Sequence, residues 1–337
     1  MRRHVPVMVL AVALSGVGAA ALANDGTAEM TAGGLVLRDN RDVDMLDEDL
    51  FISMNQVRVR YVFRNQSPRD VQVIVAFPMP DRDMEEGWYS SVATVSGFRT
   101  LADGRSVPVR IEERAILNGV DRTAELSRLR VPVTAAADGN ELRVSEAIGR
   151  LSRTQQQQLA AAGLIEIQDN GDAQHPSRDF VPLWKSRITY YWTQNFPAGR
   201  NVVIEHSYRP GTGTSVGTSL ASAEFRASAE GRQFVARYCA DQAFLAAVDR
   251  MARAQHQDYA ILPEQTVGYV LTTGASWRSP IGRFRLVVDK GRPENIVSFC
   301  GEGVRRISPT RFEMVRTNWR PAQDLNIIVL QPRLPEQ

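Results

Sequence analysis

The chain has 337 residues, enough for two ordinary domains, with 43% hydrophobic residues and 40 Lys+Arg against 38 Asp+Glu. That near-even balance excludes the basic footprint of a nucleic-acid-binding protein, and nothing in the pattern calls for a cofactor. Almost all the cations are arginines, Lys185 and Lys290 being the two lysines.

Arg2, Arg3 and His4 precede an apolar run at 5–14 and a set of small residues ending in Ala21-Leu22-Ala23. This is the pattern of a secretory signal peptide, predicted at 1–23 with cleavage after Ala23. The apolar run is too short for a transmembrane anchor, and no later span is found. The expectation is a periplasmic protein. Just beyond lie Asp42, Asp44, Asp47, Glu48 and Asp49, oxygen ligands that could hold Ca²⁺, although their spacing is not that of an EF-hand loop.

Val57, Val59, Tyr61 and Phe63 alternate with Arg58, Arg60 and Arg64, giving one apolar and one charged face. Residues 65–70 are turn chemistry, and Val71, Val73, Val75 and Phe77 line the next strand, which Pro78 and Pro80 end. The two strands read as an antiparallel hairpin, with the outward arginines as solvation and edge protection. A second hairpin is predicted from 92–101, the Asp103-Gly104 turn, and Val107, Val109 and Ile111.

The period then changes. Residues 112–129 read as helix and a second helical region runs to 162, with Thr154 and Gln157 as a capping box and Gly163 at the C-terminal cap. Strands return at 188–193 and 202–208. The expectation is mainly β: a sandwich-like domain at 24–210 with a helical insertion at about 112–168, a glycine-rich linker at 211–222, and a second sandwich-like domain at 223–337. The latter opens with a short helix at 241–254, followed by five short strands between 267 and 330. Cys239 and Cys300 are the chain's two cysteines. In an oxidising compartment they most simply pair, clipping that helix to the second sheet. The spacing of a zinc site is missing.

Several motifs bear on chemistry. Gly213-Thr214-Ser215-Val216-Gly217 fits the G-x-S-x-G nucleophile elbow, which requires a strand–turn–helix setting that the flanking Pro210-Gly211 does not supply. His206 shares a strand face with Val202, Ile204 and Tyr208 and reads as a core histidine, with a catalytic base as the alternative. His175 and His256 read as loop and helix-end residues. Trp184, Trp277-Arg278 and Trp319-Arg320 lie beside prolines. They are either surfaces for stacking on a ligand or partner, or plugs at the sandwich ends.

The segments "VRVRYVFRNQSPRDVQVIVAFPMPD", "FPAGRNVVIEHSYRP", "YCADQAF" and "SPIGRFRLVVDKGRPENIVSFC" resemble the bacterial family of exported proteins described as domain of unknown function 4424, over nearly the whole chain after the leader. More distantly, the N-terminal half resembles the vault/inter-alpha-trypsin domain: a strand ending in Phe-Pro-x-Pro, then Ser96-Gly97-Phe98, then a strand from Ala198-Gly199 to Tyr208. The helical block departs from that second pattern. These resemblances imply a location and an architecture, not a reaction. The reading is a non-enzymatic binding or interaction module of the cell envelope, its partner an envelope protein or a glycan. The alternatives are an envelope hydrolase using Ser215 or His206, and a calcium-stabilised adhesion-type module.

Overall fold

The computed structural model describes residues 25–31, 34–85, 95–134, 142–170, 178–255 and 262–332. The segment predicted as a signal peptide lies outside these. The chain is mainly β. Strands β1 (Gly26–Thr31) and β2 (Gly34–Arg38) form a hairpin, followed by β3 (Val43–Ser53), β4 (Val57–Asn65) and β5 (Val71–Pro78). Then come β6 (Arg82–Asp83), β7 (Ser96–Ala102), β8 (Arg105–Ser106), β9 (Arg110–Leu117) and β10 (Val120–Asp121). Helices α1 (Thr123–Arg128), α2 (Leu142–Gly149) and α3 (Arg153–Ala161) precede β11 (Ile165–Asp169), β12 (Arg178–Pro182), β13 (Lys185–Phe196), β14 (Asn201–Arg209) and β15 (Thr212–Ser215). Helices α4 (Ala223–Ala227), α5 (Ala229–Arg237) and α6 (Gln242–Arg253) lead into β16 (Glu264–Tyr269) and β17 (Ile281–Asp289). The last strands are β18 (Ile296–Phe299), β19 (Arg305–Arg306), β20 (Arg311–Trp319) and β21 (Leu325–Leu330).

Among the described residues these strands make an eight-stranded sheet in the order β19-β20-β17-β3-β4-β14-β7-β8, and a seven-stranded one in the order β10-β9-β13-β5-β1-β2 with β6 also on β13. A four-stranded sheet, β15-β16-β21-β18, and a β11-β12 pair complete the set. The inner face of the large sheet carries Leu50, Val59, Phe63, Ile204 and Leu286. It packs against Val75, Phe77 and Trp192 of the seven-stranded sheet and against Val267, Tyr269 and Ile327 of the four-stranded one, in one continuous core. Tyr61 and Tyr269, hydroxyl to hydroxyl at 2.9 Å, tie two of these layers together.

Strand β4 alternates between buried and outward residues along its length, as period-two patterning predicts. Its neighbours differ from expectation. β4 pairs with β3 and β14, whereas β5 pairs with β13 and β1, so residues 65–70 cross between layers instead of closing a hairpin. Asn65 holds that crossing. Fully buried, its Nδ2 donates to the Arg69 and Phe196 carbonyls at 2.8 Å each, and its Oδ1 accepts from the Ser67 N–H. The Asp103-Gly104 turn does join β7 to β8, with φ of 49° and 75° at the two residues. Past it the chain crosses to the other sheet, and residues 92–94 lie outside the described ones.

The helix expected at 112–129 is, in its first part, strand β9. Tertiary contacts override local propensity here: Glu112 Oε1 accepts the Leu35 N–H at 2.8 Å and Arg114 Nη2 donates to the Leu35 carbonyl at 3.0 Å, covering the edge of β2. Helices begin at Thr123. The capping box on α3 is Ser152–Gln155, two residues earlier than predicted, and Gly163 follows α3 at φ 69°. The helical block builds its own small core from Leu126, Val144, Ile148, Leu159 and Leu164 around Trp184.

Residues 212–215 of the expected linker form β15, paired along β16. Strands from either side of 211–222 share one sheet, because β17 runs parallel to β3 from Arg283↔Asp47 to Asp289↔Ser53. The seam is tight. A Cβ on Gly282 would lie 2.5 Å from the Leu46 carbonyl oxygen, at the bulge in β3 between Met45 and Asp47. Residues 242–253 form α6 as expected, with the Asp241 side chain accepting the Phe244 N–H at 2.7 Å.

Candidate functional site

The outer face of the eight-stranded sheet is a groove of about 840 Å³ lined by Arg58, Arg60, Arg99, Arg283, Arg285 and Arg311, by the carboxylates Asp47, Asp49 and Glu205, and by Phe51. Alternation along each strand puts these side chains on one face, and the register brings them together. Glu205 is opposite Arg60 and Ser207 opposite Arg58 across β14–β4, and Ser207 faces Arg99 across β14–β7. Phe51 faces Arg58 across β3–β4.

The charges divide into two halves. On the β17 side each arginine has an acid: Arg283 bonds Asp47 at 3.0 Å, Arg285 bonds Asp49 at 3.1 Å and Glu313 at 2.9 Å, and Arg311 bonds Asp289 at 2.8 Å. Arg305 joins Glu313 as well, and its hydrogen bond, then that of Arg285, holds the Glu313 carboxyl below the usual carboxylate range. On the β4–β14–β7 side, Arg58, Arg60 and Arg99 are exposed and make no ion pair among the described residues. The Arg58 guanidinium lies over the Phe51 ring, 4.7 Å from its centroid, and that of Arg311 is 5.7 Å from the same ring. Arginines outside any ion pair are suited to bind an anion, since the fork of N–H donors matches an oxyanion.

Two of the three candidate tryptophans are core residues, and the third lines a cleft. Trp184 is buried, its Nε1–H donating to the Val133 carbonyl at 2.8 Å, and Trp277 is 2% exposed with its Nε1–H on the Asp25 carbonyl at 2.6 Å. Arg278 bonds Asp44 at 2.9 Å. Trp319 is half-buried, 4.6 Å from Phe284, and Arg320 donates to the Ala275 carbonyl at 2.6 Å. These two line a separate cleft of about 1010 Å³ beside the disulfide. Cys239 and Cys300 are bonded, with Cα atoms 5.0 Å apart, joining the end of α5 to the end of β18.

His206 is buried, with Nε2 3.1 Å from Asp25 Oδ1 and Nδ1 3.0 Å from Thr100 Oγ1, among the rings of Tyr61, Phe77, Phe98 and Trp192. Burial pushes the Asp25 carboxyl above the usual range, and His206 opposes that shift. The three groups form a buried hydrogen-bonded network that satisfies both ring nitrogens of His206. Ser215 lies on β15 and donates to the Gly217 carbonyl at 2.8 Å, in a strand instead of an elbow. The acidic run is split by the pleat of β3: Glu48 points into the core, and Asp44, Asp47 and Asp49 bond arginines. Among the described residues no group of three His, Cys, Asp or Glu could hold a metal ion. His175 and His256 lie outside those residues.

Residues 23–328 match the family described as domain of unknown function, DUF4424. The chain belongs to the DUF4424 family. A Legionella pneumophila crystal structure, provisionally described as a nutrient-binding protein, is 15% identical with a TM-score of 0.43, over 92% of this chain and 72% of that one. No protein of curated function matches.

In this DUF4424 chain the groove is what residue-by-residue reading missed. Arg58 and Arg60 were legible as an outward face, but their company was not. Arg99 arrives through β14, and Arg283, Arg285 and Arg311 through the parallel seam. The available signal was the excess of arginine over lysine, because arginine serves ion-paired sheets and oxyanion recognition alike.

Proposed function

We propose that the protein is an exported, non-enzymatic binding module of the bacterial cell envelope, and that the outer face of its eight-stranded sheet is the ligand surface. The observation that carries this is the trio Arg58, Arg60 and Arg99, exposed and making no ion pair among the described residues, beside arginines that all make one. The ligand is anionic. Export is supported by the leader-like first 23 residues and by the Cys239–Cys300 bond. Among the described residues no helix is long and apolar enough to cross a membrane.

The test is calorimetric screening of the chain beginning at Asn24 against neutral and anionic glycans and small anions. Ligands whose binding disappears in Arg58→Gln/Arg60→Gln/Arg99→Gln, at an unchanged melting temperature, support the reading. Binding of neutral compounds alone, or of anions equally by the triple variant, refutes it.

A further inference from the structure

We propose that the β4–β14–β7 end of the groove is a subsite for a phosphoryl dianion, the charged group of a phosphomonoester ligand. This rests on the outer face being the ligand surface, and it adds the chemistry of what is held there.

Charge is the first argument. This end carries Arg58, Arg60 and Arg99 with Glu205 as its one carboxylate outside an ion pair; Asp49, opposite Arg60 across β3–β4, is bonded to Arg285, and Asp47, Asp49, Asp289 and Glu313 neutralise Arg283, Arg285, Arg311 and Arg305. The local excess is two positive charges. A phosphomonoester carries about −1.5 to −2 near pH 7 and so matches it, while a monocarboxylate leaves a guanidinium uncompensated.

Geometry is the second. The Arg58 guanidinium lies over the Phe51 ring, an attraction that restrains it while its N–H donors remain available for contact with an oxyanion. Ser207 lies opposite both Arg58 and Arg99 in one row across three strands. Strands about 4.8 Å apart put the two arginine Cα atoms roughly 10 Å from each other, so both side chains can close on a tetrahedral anion above the serine hydroxyl. Glu205, opposite Arg60, repels that anion and sets an upper limit on affinity.

The experiment is isothermal titration of the mature chain with inorganic phosphate, glycerol 3-phosphate, dimethyl phosphate and citrate. A parallel arm measures co-sedimentation with phosphatidic-acid vesicles against phosphatidylcholine vesicles. Arg99→Gln is the cleanest variant because its side chain has no partner to lose within the described fold. It weakens phosphomonoester binding by about tenfold or more, as expected for one charge-assisted contact, and Arg58→Gln does the same. Glu205→Gln tightens binding severalfold, an opposite sign that a merely structural role does not produce. Dimethyl phosphate, a monoanion, binds more weakly than the monoesters.

Arginine-dependent binding in the soluble arm or the vesicle arm supports the subsite and tells a free phosphoryl group from a membrane-borne one. Phosphate binding that ignores Arg99→Gln, or that Glu205→Gln weakens, overturns it. Arginine-dependent binding of citrate without phosphate overturns the phosphoryl assignment and leaves the ligand surface standing. Arginine-independent results throughout the panel overturn both.

Discussion

Asp25 Oδ1 and His206 Nε2 lie 3.1 Å apart with both side chains fully buried, joining the residue that leads into β1 to β14 of the eight-stranded sheet. Removing one member leaves the other without its partner in a low-dielectric core. His206→Leu is therefore expected to cost about 3–5 kcal/mol, and adding Asp25→Asn recovers part of that loss. Urea denaturation of the two single variants and the double variant measures the coupling. A loss below about 1 kcal/mol for His206→Leu contradicts it.

The acid side of the stability curve depends on Glu313. Arg305 and Arg285 hold its folded-state carboxyl below the ordinary value of 4.5. A depressed carboxyl contributes stability that is fully present above the unfolded value and is lost as pH falls through the folded one. Stability is thus expected to drop below about pH 4.5, and Glu313→Gln flattens that limb while lowering stability at pH 7. Melting temperatures of both forms between pH 7 and pH 3 provide the comparison, and parallel curves rule the linkage out.

The two faces of β4 predict opposite outcomes. Phe63 is fully buried, 4.5 Å from the Trp277 ring and 5.7 Å from Phe196, so Phe63→Ala costs about 3–5 kcal/mol. Trp277→Ala costs a similar amount for the same reason. Arg60→Ser, on the outer face, stays within about 0.5 kcal/mol. Denaturant midpoints of the three variants decide this, and equal losses on both faces mean that the alternation does not govern stability.

Breaking the Cys239–Cys300 bond releases a loop with a sequence separation of 61 residues. The chain-entropy model gives a loss of about 4 kcal/mol for Cys239→Ser/Cys300→Ser. The unreduced protein, denatured, takes up no thiol reagent. Uptake of two equivalents shows that the bond does not form.

Local pattern disclosed which side chains face inward, and global pairing stayed hidden, for a physical reason. Alternation in 57–64 requires only that one face of β4 be dry. It is silent on whether the neighbour is β5, next in sequence, or β14, more than a hundred residues on. The turn-like 65–70 served both outcomes, and the choice fell to the buried amide of Asn65, whose partner Phe196 is distant in sequence. Similarly, 112–117 looked helical until its Glu112 and Arg114 found the backbone of Leu35. The disulfide and α6 were readable because each rests on few, local or exclusive choices. The arginine groove was not, since it assembles from six strands drawn from both ends of the chain.

The parallel seam between β3 and β17 joins residues 236 positions apart, as in Arg283 and Asp47. Such a seam forms late, because the closure of so long a loop precedes any contact that rewards it. A chain emerging from its N-terminus therefore holds β3 with one bare edge until residue 281 arrives. That edge is an invitation to pair with a second molecule in the meantime. The outward Asp47 and Asp49 that later bond the arginines of β17 also serve while the edge is empty: adjacent like charges on two such strands repel, and the half-made sheet is kept from joining its own kind.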